Sequence, residues 1–308
     1  MRTVLAADLG GTKCRFALVG EDHGVHCARR IETVRDRGPF LERMEAAIEQ
    51  VLVEGRDAGL EAPLAVGVGA AGVVGVDCEA LGDPPNLPLG GFGLRGWLSE
   101  RTGLPVTLLN DGRASAWGEY LKGHASGRDP LLCLFFGTGI GIGLIADGKP
   151  YGGGANAAGE IGHTVYRPGG RMCPCGRAGH YEAYCGGRAI TERAMRELGA
   201  SDEHPWNVGA VVRAADAGRD DAAAILDEAA EAACTLVVNA SILLNPSAIV
   251  LGGGVLSGWP ALRERIVRSV RDLTDPCIHE GLEFVDSLGG SDAILWGAAA
   301  ATGAFAPR

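Results

Sequence analysis

DLGGTKCRFAL (residues 8–18) and FFGTGIGIGLI (residues 135–145) are the stretches on which the reading of this chain turns. Each is an apolar run that closes on a glycine-rich turn and resumes as a second apolar run. TVLAADLG leads into the first turn and KCRFALVG leaves it; LLCLFFG and IGLIADGK flank the second. Short apolar runs bounded by glycine read as strands, so each stretch predicts a β-hairpin. Two such hairpins opening two similar stretches of chain imply an α/β protein of two related halves.

Working outward, GVHCARRIET predicts a third strand and residues 39–54 a helix led by Pro39, since proline suits a first helical turn. Residues 64–72 read as a buried strand, 92–101 as a short helix, 104–111 as a strand and 112–123 as a helix. After the second hairpin, residues 151–186 show little regular pattern and many glycines. Helices follow at 187–198, 207–217 and 220–243. A strand at 248–254 runs into GGG, and a helix at 258–272, a strand at 282–287 and a small-residue helix at 291–301 complete the chain. The division is placed near residues 115–130. The expected lobes are 1–117 and 118–290, with the C-terminal segment 291–308 a candidate to complete the first.

The turns carry the first chemistry. DLGGTK is not a P-loop, which needs G-x-x-x-x-G-K-[ST] before a helix, and a strand follows it where a dinucleotide fingerprint needs a helix. A tight turn can still present backbone N–H groups to anionic oxygens. Gly10 and Gly11 supply the turn, Thr12 a hydroxyl and Lys13 a positive charge. Asp8, at the strand end, could hold magnesium through water. Gly137, Thr138 and Gly139 form the second turn. Either is alone an ordinary hairpin turn; as a pair they could grip a polyphosphate from two sides. Gly253 and Gly254, between a strand and a helix, suit packing against a nucleotide base or ribose.

Asn110 and Asp111 stand where an apolar strand gives way to a helix. Asp is an ordinary N-cap there. The same place suits a general base that takes a proton from an alcohol attacking a phosphoryl group, with Asn110 orienting that alcohol. Glu160 and His163, three apart in GEIGH, share a face of a helical turn. With Glu182 they make a set fit for the hydroxyls of a sugar. CPCGRAGHYE (residues 173–182) raises a metal: Cys173, Cys175 and His180, with His163, form a two-Cys, two-His set that suits zinc. The alternative is an incidental thiol pair in a glycine-rich loop. No general base accompanies the set, so the site reads as closed and structural, and a zinc hydrolase is disfavoured.

Composition bounds the rest. The chain has 308 residues, 46% of them hydrophobic, and a formal charge of −10. An acidic chain without a Lys/Arg run is a poor nucleic-acid binder. No stretch of 18 uncharged apolar residues predicts a membrane span. The opening MRTVLAADLGGTK does not read as a signal peptide, so a cytoplasmic protein is expected. Nine cysteines, most of them single in apolar runs, read as buried small hydrophobes and not as a disulfide framework.

DLGGTK, NLPLGGFGLRGWL, LLNDGRASAWGE, FFGTGIGIGLI, AGEIGH, CPCGRAGHYE and IVLGGGV, in this order, resemble the ROK family of bacterial sugar kinases nearly end to end. The resemblance implies a two-lobed, actin-like, hexokinase-type (ribonuclease H-like) ATPase fold around an interdomain cleft. It implies ATP-dependent phosphorylation of a sugar hydroxyl with magnesium. Asp111 then resembles the catalytic base, and Asn86, Asn110, Glu160, His163 and Glu182 the sugar-binding group. Gly10, Gly11 and Thr12 resemble one phosphate turn, Gly137, Thr138 and Gly139 the other, and Gly253 and Gly254 the adenosine side. His163, Cys173 and Cys175 resemble ligands of a structural zinc. Homodimers or homotetramers are implied as well. Glucose is the expected acceptor, with an N-acetylhexosamine or glucosamine kinase as the alternative and a non-catalytic sugar-binding protein behind it. The family's sugar-responsive repressors carry an added helix-turn-helix, for which residues before Asp8 leave no room.

Two departures from the family pattern stand out. His180 occupies the place of a third cysteine. Arg113 replaces the second asparagine of N-D-A-N, where it would either hold the helix in place or favour a more anionic or differently substituted sugar.

Overall fold

β1 (Thr3–Leu9) and β2 (Lys13–Gly20) pair antiparallel across the first glycine turn, with Leu9 opposite Cys14. The computed structural model describes residues 1–305 apart from 76, 78, 83, 85, 86, 200–205 and 289. In chain order there follow β3 (Val25–Glu32), α1 (Arg37–Asp57), β4 (Val66–Ala70), α2 (Leu94–Thr102), β5 (Val106–Asn110) and α3 (Asp111–Lys122). Next come β6 (Leu131–Phe136), β7 (Ile140–Ala146), β8 (Lys149–Pro150), a single 3-10 turn at Ile161–His163, α4 (Glu182–Cys185), α5 (Gly187–Glu197), α6 (Val208–Asp216) and α7 (Asp220–Leu244). The remainder is β9 (Ala248–Gly252), α8 (Gly254–Gly258), α9 (Ala261–Leu273), α10 (Pro276–His279), β10 (Glu283–Asp286) and α11 (Ser291–Ala301).

The chain forms two compact units. The first holds residues 1–127, 143–159 and 288–308. Its sheet has the order β3-β2-β1-β4-β5, with β4 parallel to β1 and β5. Side chains alternate along β1, as the two-residue period of a strand requires. Leu5, Ala7 and Leu9 join Phe16, Phe40, Met44 and Leu98 on one face; Val4 and Ala6 join Ala17, Val19, Ala293 and Trp296 on the other. α11 covers that second face. Its small residues let it meet α3 backbone to backbone: a methyl on Gly118 would overlap the Ala293 carbonyl, and one on Gly297 the Ala114 carbonyl.

The second unit holds residues 128–142 and 160–287. The second sheet runs β10-β9-β6-β7-β8, with β6 and β10 both parallel to β9. α7 is apolar on most of its surface, as a helix enclosed by its neighbours must be. Ile225, Leu236, Val237 and the alanines between them are buried against α4, α5, α6 and α9.

Several elements differ from expectation. α1 starts at Arg37, so Pro39 lies inside the first turn, where a missing N–H costs nothing. The helix expected over 258–272 starts only at Ala261, after Pro260, and a separate short helix, α8, takes up Gly254–Gly258 at the end of the expected strand. The 151–186 stretch also contains the 3-10 turn and α4, too short to show a period. Among the described residues no helix is long and apolar enough to cross a membrane.

Candidate active site

Asn110 ends β5, and its side-chain oxygen accepts from Arg113 N at 3.1 Å, which makes Asn110 the N-cap of α3. Asp111 is therefore the first helical residue and not the cap that its type also allowed. Its Oδ1 accepts from Gly112 N (2.8 Å) and from Asn110 Nδ2 (3.1 Å), and Asn110 Nδ2 also donates to Gly72 O (3.1 Å). Among the described residues no other residue donates to Oδ2. One oxygen is thus fixed and the other is left for a ligand. Burial raises the Asp111 carboxyl above the usual aspartate range, against the hydrogen bonds that favour its charge.

Asp8 lies near the end of β1, half-buried. Burial, and after it the neighbouring Asp111, push its carboxyl up to about 7 against the opposing effect of Arg15 and Arg30. Two carboxylates in this setting favour a cation between or beside them. Gly10 to Lys13 form the adjoining turn, closed by Gly10 N donating to Lys13 O at 3.1 Å.

Arg113 is only 3% exposed. Its guanidinium donates to the Asn156 carbonyl (2.7 Å) and to Asn156 Oδ1, and Asn156 Nδ2 donates onward to Val74 O (3.1 Å) and Gly75 O (3.4 Å). Of the two roles considered for Arg113, the structure favours the bracing one: the guanidinium is engaged with a neighbouring loop, not presented to an anionic sugar. Asn86 lies outside the described residues.

The second unit carries the other set. Gly137 and Thr138 offer their carbonyls to the first N–H groups of α5: Gly187 N donates to Gly137 O (2.9 Å) and Arg188 N to Thr138 O (3.0 Å). A helix N-terminus has such N–H groups to spare. Beside this turn is a cavity of about 900 Å³, lined by Thr138, Thr191, Asn207, Gly209, Gly254 and Val255 among others. That is the upper range of small-molecule sites. Gly254 lines it. Gly253 instead crosses β6 at positive φ (101°), where a methyl would overlap the Phe136 carbonyl. Thr191 and Asn207 were invisible in the sequence, because nothing in an amphipathic helix or its cap marks a residue as lining a distant pocket.

His163, Cys173, Cys175 and His180 converge, with one ligand atom from each lying within 4.8 Å of all the others. Cys173 Sγ is 3.6 Å from His163 Nδ1, and Cys175 Sγ is 3.2 Å from His180 Nδ1. Zinc bonds of about 2.0–2.3 Å in a tetrahedron separate ligand atoms by roughly 3.3–3.8 Å; the two Cys–His pairs lie near that spacing and the four-residue set as a whole is looser, so the residue types suit zinc and the loop would tighten around it. Burial holds His180 below the usual histidine range, helped by His163 and Arg177, and so in the neutral form a metal needs. Burial pushes the Cys173 thiol up to about 12; a bound cation would reverse this by stabilising the thiolate.

His163 faces two ways. Nδ1 turns to Cys173, while Nε2 is 3.9 Å from Glu160 Oε2. A single ring can therefore serve a metal and a substrate. Glu182 Oε2 accepts from Ile140 N at 2.8 Å, and Cys173 Sγ lies 4.0 Å from Oε1. The carboxylate thus ties the metal loop to the glycine turn.

The sequence model described as the ROK family matches residues 4–303. The chain is 30% identical to a glucokinase of Streptomyces coelicolor, over 83% of each protein. It is 31% identical to an N-acetylmannosamine kinase of Escherichia fergusonii, over 85% of this chain and 87% of that one. Its structure aligns at a TM-score of 0.79 and 29% identity with a ROK family glucokinase from Streptomyces griseus in complex with glucose and AMPPNP, over 97% and 98% of the two chains. The fold is accordingly the actin-like ATPase fold.

Proposed function

The chain belongs to the ROK family, and from that premise we propose that it transfers the γ-phosphoryl group of ATP to a hexose hydroxyl, glucose at position 6 before others. The carrying observation is Asp111, with one oxygen held by Gly112 N–H and Asn110 and the other untaken. In the proposed reaction the sugar hydroxyl gives its proton to Asp111 Oδ2 as its oxygen bonds to the γ-phosphorus. The bond from that phosphorus to the bridging oxygen breaks, and ADP leaves with the electron pair. A carboxyl held above the usual range is a better proton acceptor at neutral pH than an ordinary aspartate.

Asn110, Glu160, His163 Nε2 and Glu182 would orient the sugar; Asn86 is carried over from the resemblance alone. N–H groups of the turns at Gly10–Lys13 and Gly137–Gly139 would hold the phosphates, with the nucleoside in the cavity beside Gly254. Magnesium, when bound with ATP, would offset phosphate charge, and Asp8 fits it as a half-buried carboxylate with a raised pKa. Zinc in the His163, Cys173, Cys175 and His180 set would brace a loop poor in large apolar side chains.

An N-acetylhexosamine kinase is the second reading, supported by the N-acetylmannosamine kinase relative, which is as similar as the glucokinase. ADP release measured over glucose, glucosamine, N-acetylglucosamine and N-acetylmannosamine tests both. Release accelerated chiefly by glucose is expected. Preference for an acetylated sugar replaces the first reading with the second, and no acceleration by any sugar removes both. A cytoplasmic homodimer or homotetramer is part of the proposal; light scattering of the purified protein checks the assembly.

A further inference from the structure

Two carbonyls of the first glycine turn, those of Gly10 and Thr12, both accept from Thr33. Thr33 directly follows β3, and its hydroxyl donates to Gly10 O at 2.7 Å while its backbone N–H donates to Thr12 O at 3.0 Å. Cys14 stands behind it, with Sγ 3.4 Å from Thr33 Oγ1 and 3.7 Å from Gly10 O. Burial pushes this thiol up to about 11, so it stays neutral and unreactive.

The consequence follows from peptide planarity. In a trans peptide the C=O and the next residue's N–H point in opposite directions. With Gly10 O and Thr12 O drawn to Thr33, the N–H groups of Gly11 and Lys13 point away from it. A carbonyl facing a phosphate would repel it; an N–H attracts it. The second turn is built alike, since Gly137 O and Thr138 O are drawn to the N–H groups of Gly187 and Arg188, which turns the N–H groups of Thr138 and Gly139 away. There the backbone of a helix performs the task. In the first turn a side chain does part of it, and a side chain can be replaced.

We propose that Thr33 is a positioning residue for polyphosphate binding: its hydroxyl fixes the Gly10–Gly11 peptide so that an N–H, not a carbonyl, faces the phosphates. The inference rests on the reading of Gly10–Lys13 as a phosphate turn. Thr33→Val keeps the shape and removes the hydroxyl. Its KM for ATP is expected to rise about tenfold, as loss of one hydrogen bond to a turn carbonyl allows, with the KM for sugar unchanged. Thr33→Ser is expected to restore it. A merely structural hydroxyl would lower the melting temperature and leave the KM for ATP alone, and that result overturns the proposal. Calorimetric titration of Mg-ATP into wild type and Thr33→Val reads the same effect without turnover. If wild type binds Mg-ATP but phosphorylates no sugar, the kinase reading fails while this one is still decided. If Thr33→Val does not fold, Thr33→Ala is titrated in its place, and unchanged affinity counts against the role.

Discussion

At residues 110 and 111 two demands on one carboxylate are divided between neighbours. Asn110 caps the helix, which leaves Asp111 Oδ2 for the proposed chemistry. Asp111→Asn is expected to lower kcat by about 10²–10⁴, the usual worth of a general base, while sugar affinity by calorimetry stays within a few-fold. Normal turnover in that variant would remove the base assignment. Because burial raises this carboxyl above the usual aspartate range, the proposed base loses its charge earlier, as pH falls, than an ordinary aspartate would. The acid limb of kcat/KM is therefore expected above the ordinary aspartate range of about 4, and a limb at or below that range would contradict it. The position of Asp111 was legible from the strand-to-helix junction and the family pattern. Which of the two residues caps was not, since both are good caps and only the hydrogen bonds decide.

Elements repeat the lesson over longer stretches. Strands flanking the glycine turns, and the enclosed α7, were legible because composition and period both marked them. The start of α9 after Pro260 and the 3-10 turn at 161–163 were less so; they depend on a single residue or on three. The Cys/His loop is bound on several sides: Arg167 and Arg171 both reach Glu228 of α7, and Tyr166 stacks near Tyr181 and Tyr184. One zinc per chain is expected by elemental analysis of wild type, falling to well below one in His180→Ala. A full equivalent in the variant would place the fourth ligand elsewhere. The segment around Asn156, beyond β8, is held differently, through Arg113. Asn156 has φ +53°, a conformation asparagine tolerates better than most residues. Asn156→Ala removes hydrogen bonds to a buried charge and adds backbone strain. It is expected to cost about 2 kcal/mol in urea unfolding, and no loss would mean that Arg113 finds equal partners without it.

Across the whole molecule, the proposed function and stability oppose each other at Asp8. Its folded carboxyl titrates near 7 against 3.8 for the ordinary group. Folding therefore carries no penalty from this group below about pH 4, and the penalty grows as pH rises to 7. Without ligands, Asp8→Asn is expected to be more stable than wild type at pH 8 in urea unfolding, with the gap closing toward pH 4. A gap that widens on acidification would reverse the assignment. By itself the sequence determined the α/β class, the two glycine turns, the acid–amide pair at 110–111 and the Cys/His set, because each is a local pattern of residue types whose chemistry survives unfolding. Only the tertiary structure decided which way those groups face. It set His163 Nδ1 to the thiols and Nε2 to Glu160, it engaged Arg113 with Asn156, and it turned the carbonyls of Gly10 and Thr12 toward Thr33. Direction is a property of partners distant in the chain, and the sequence pattern does not record who those partners are.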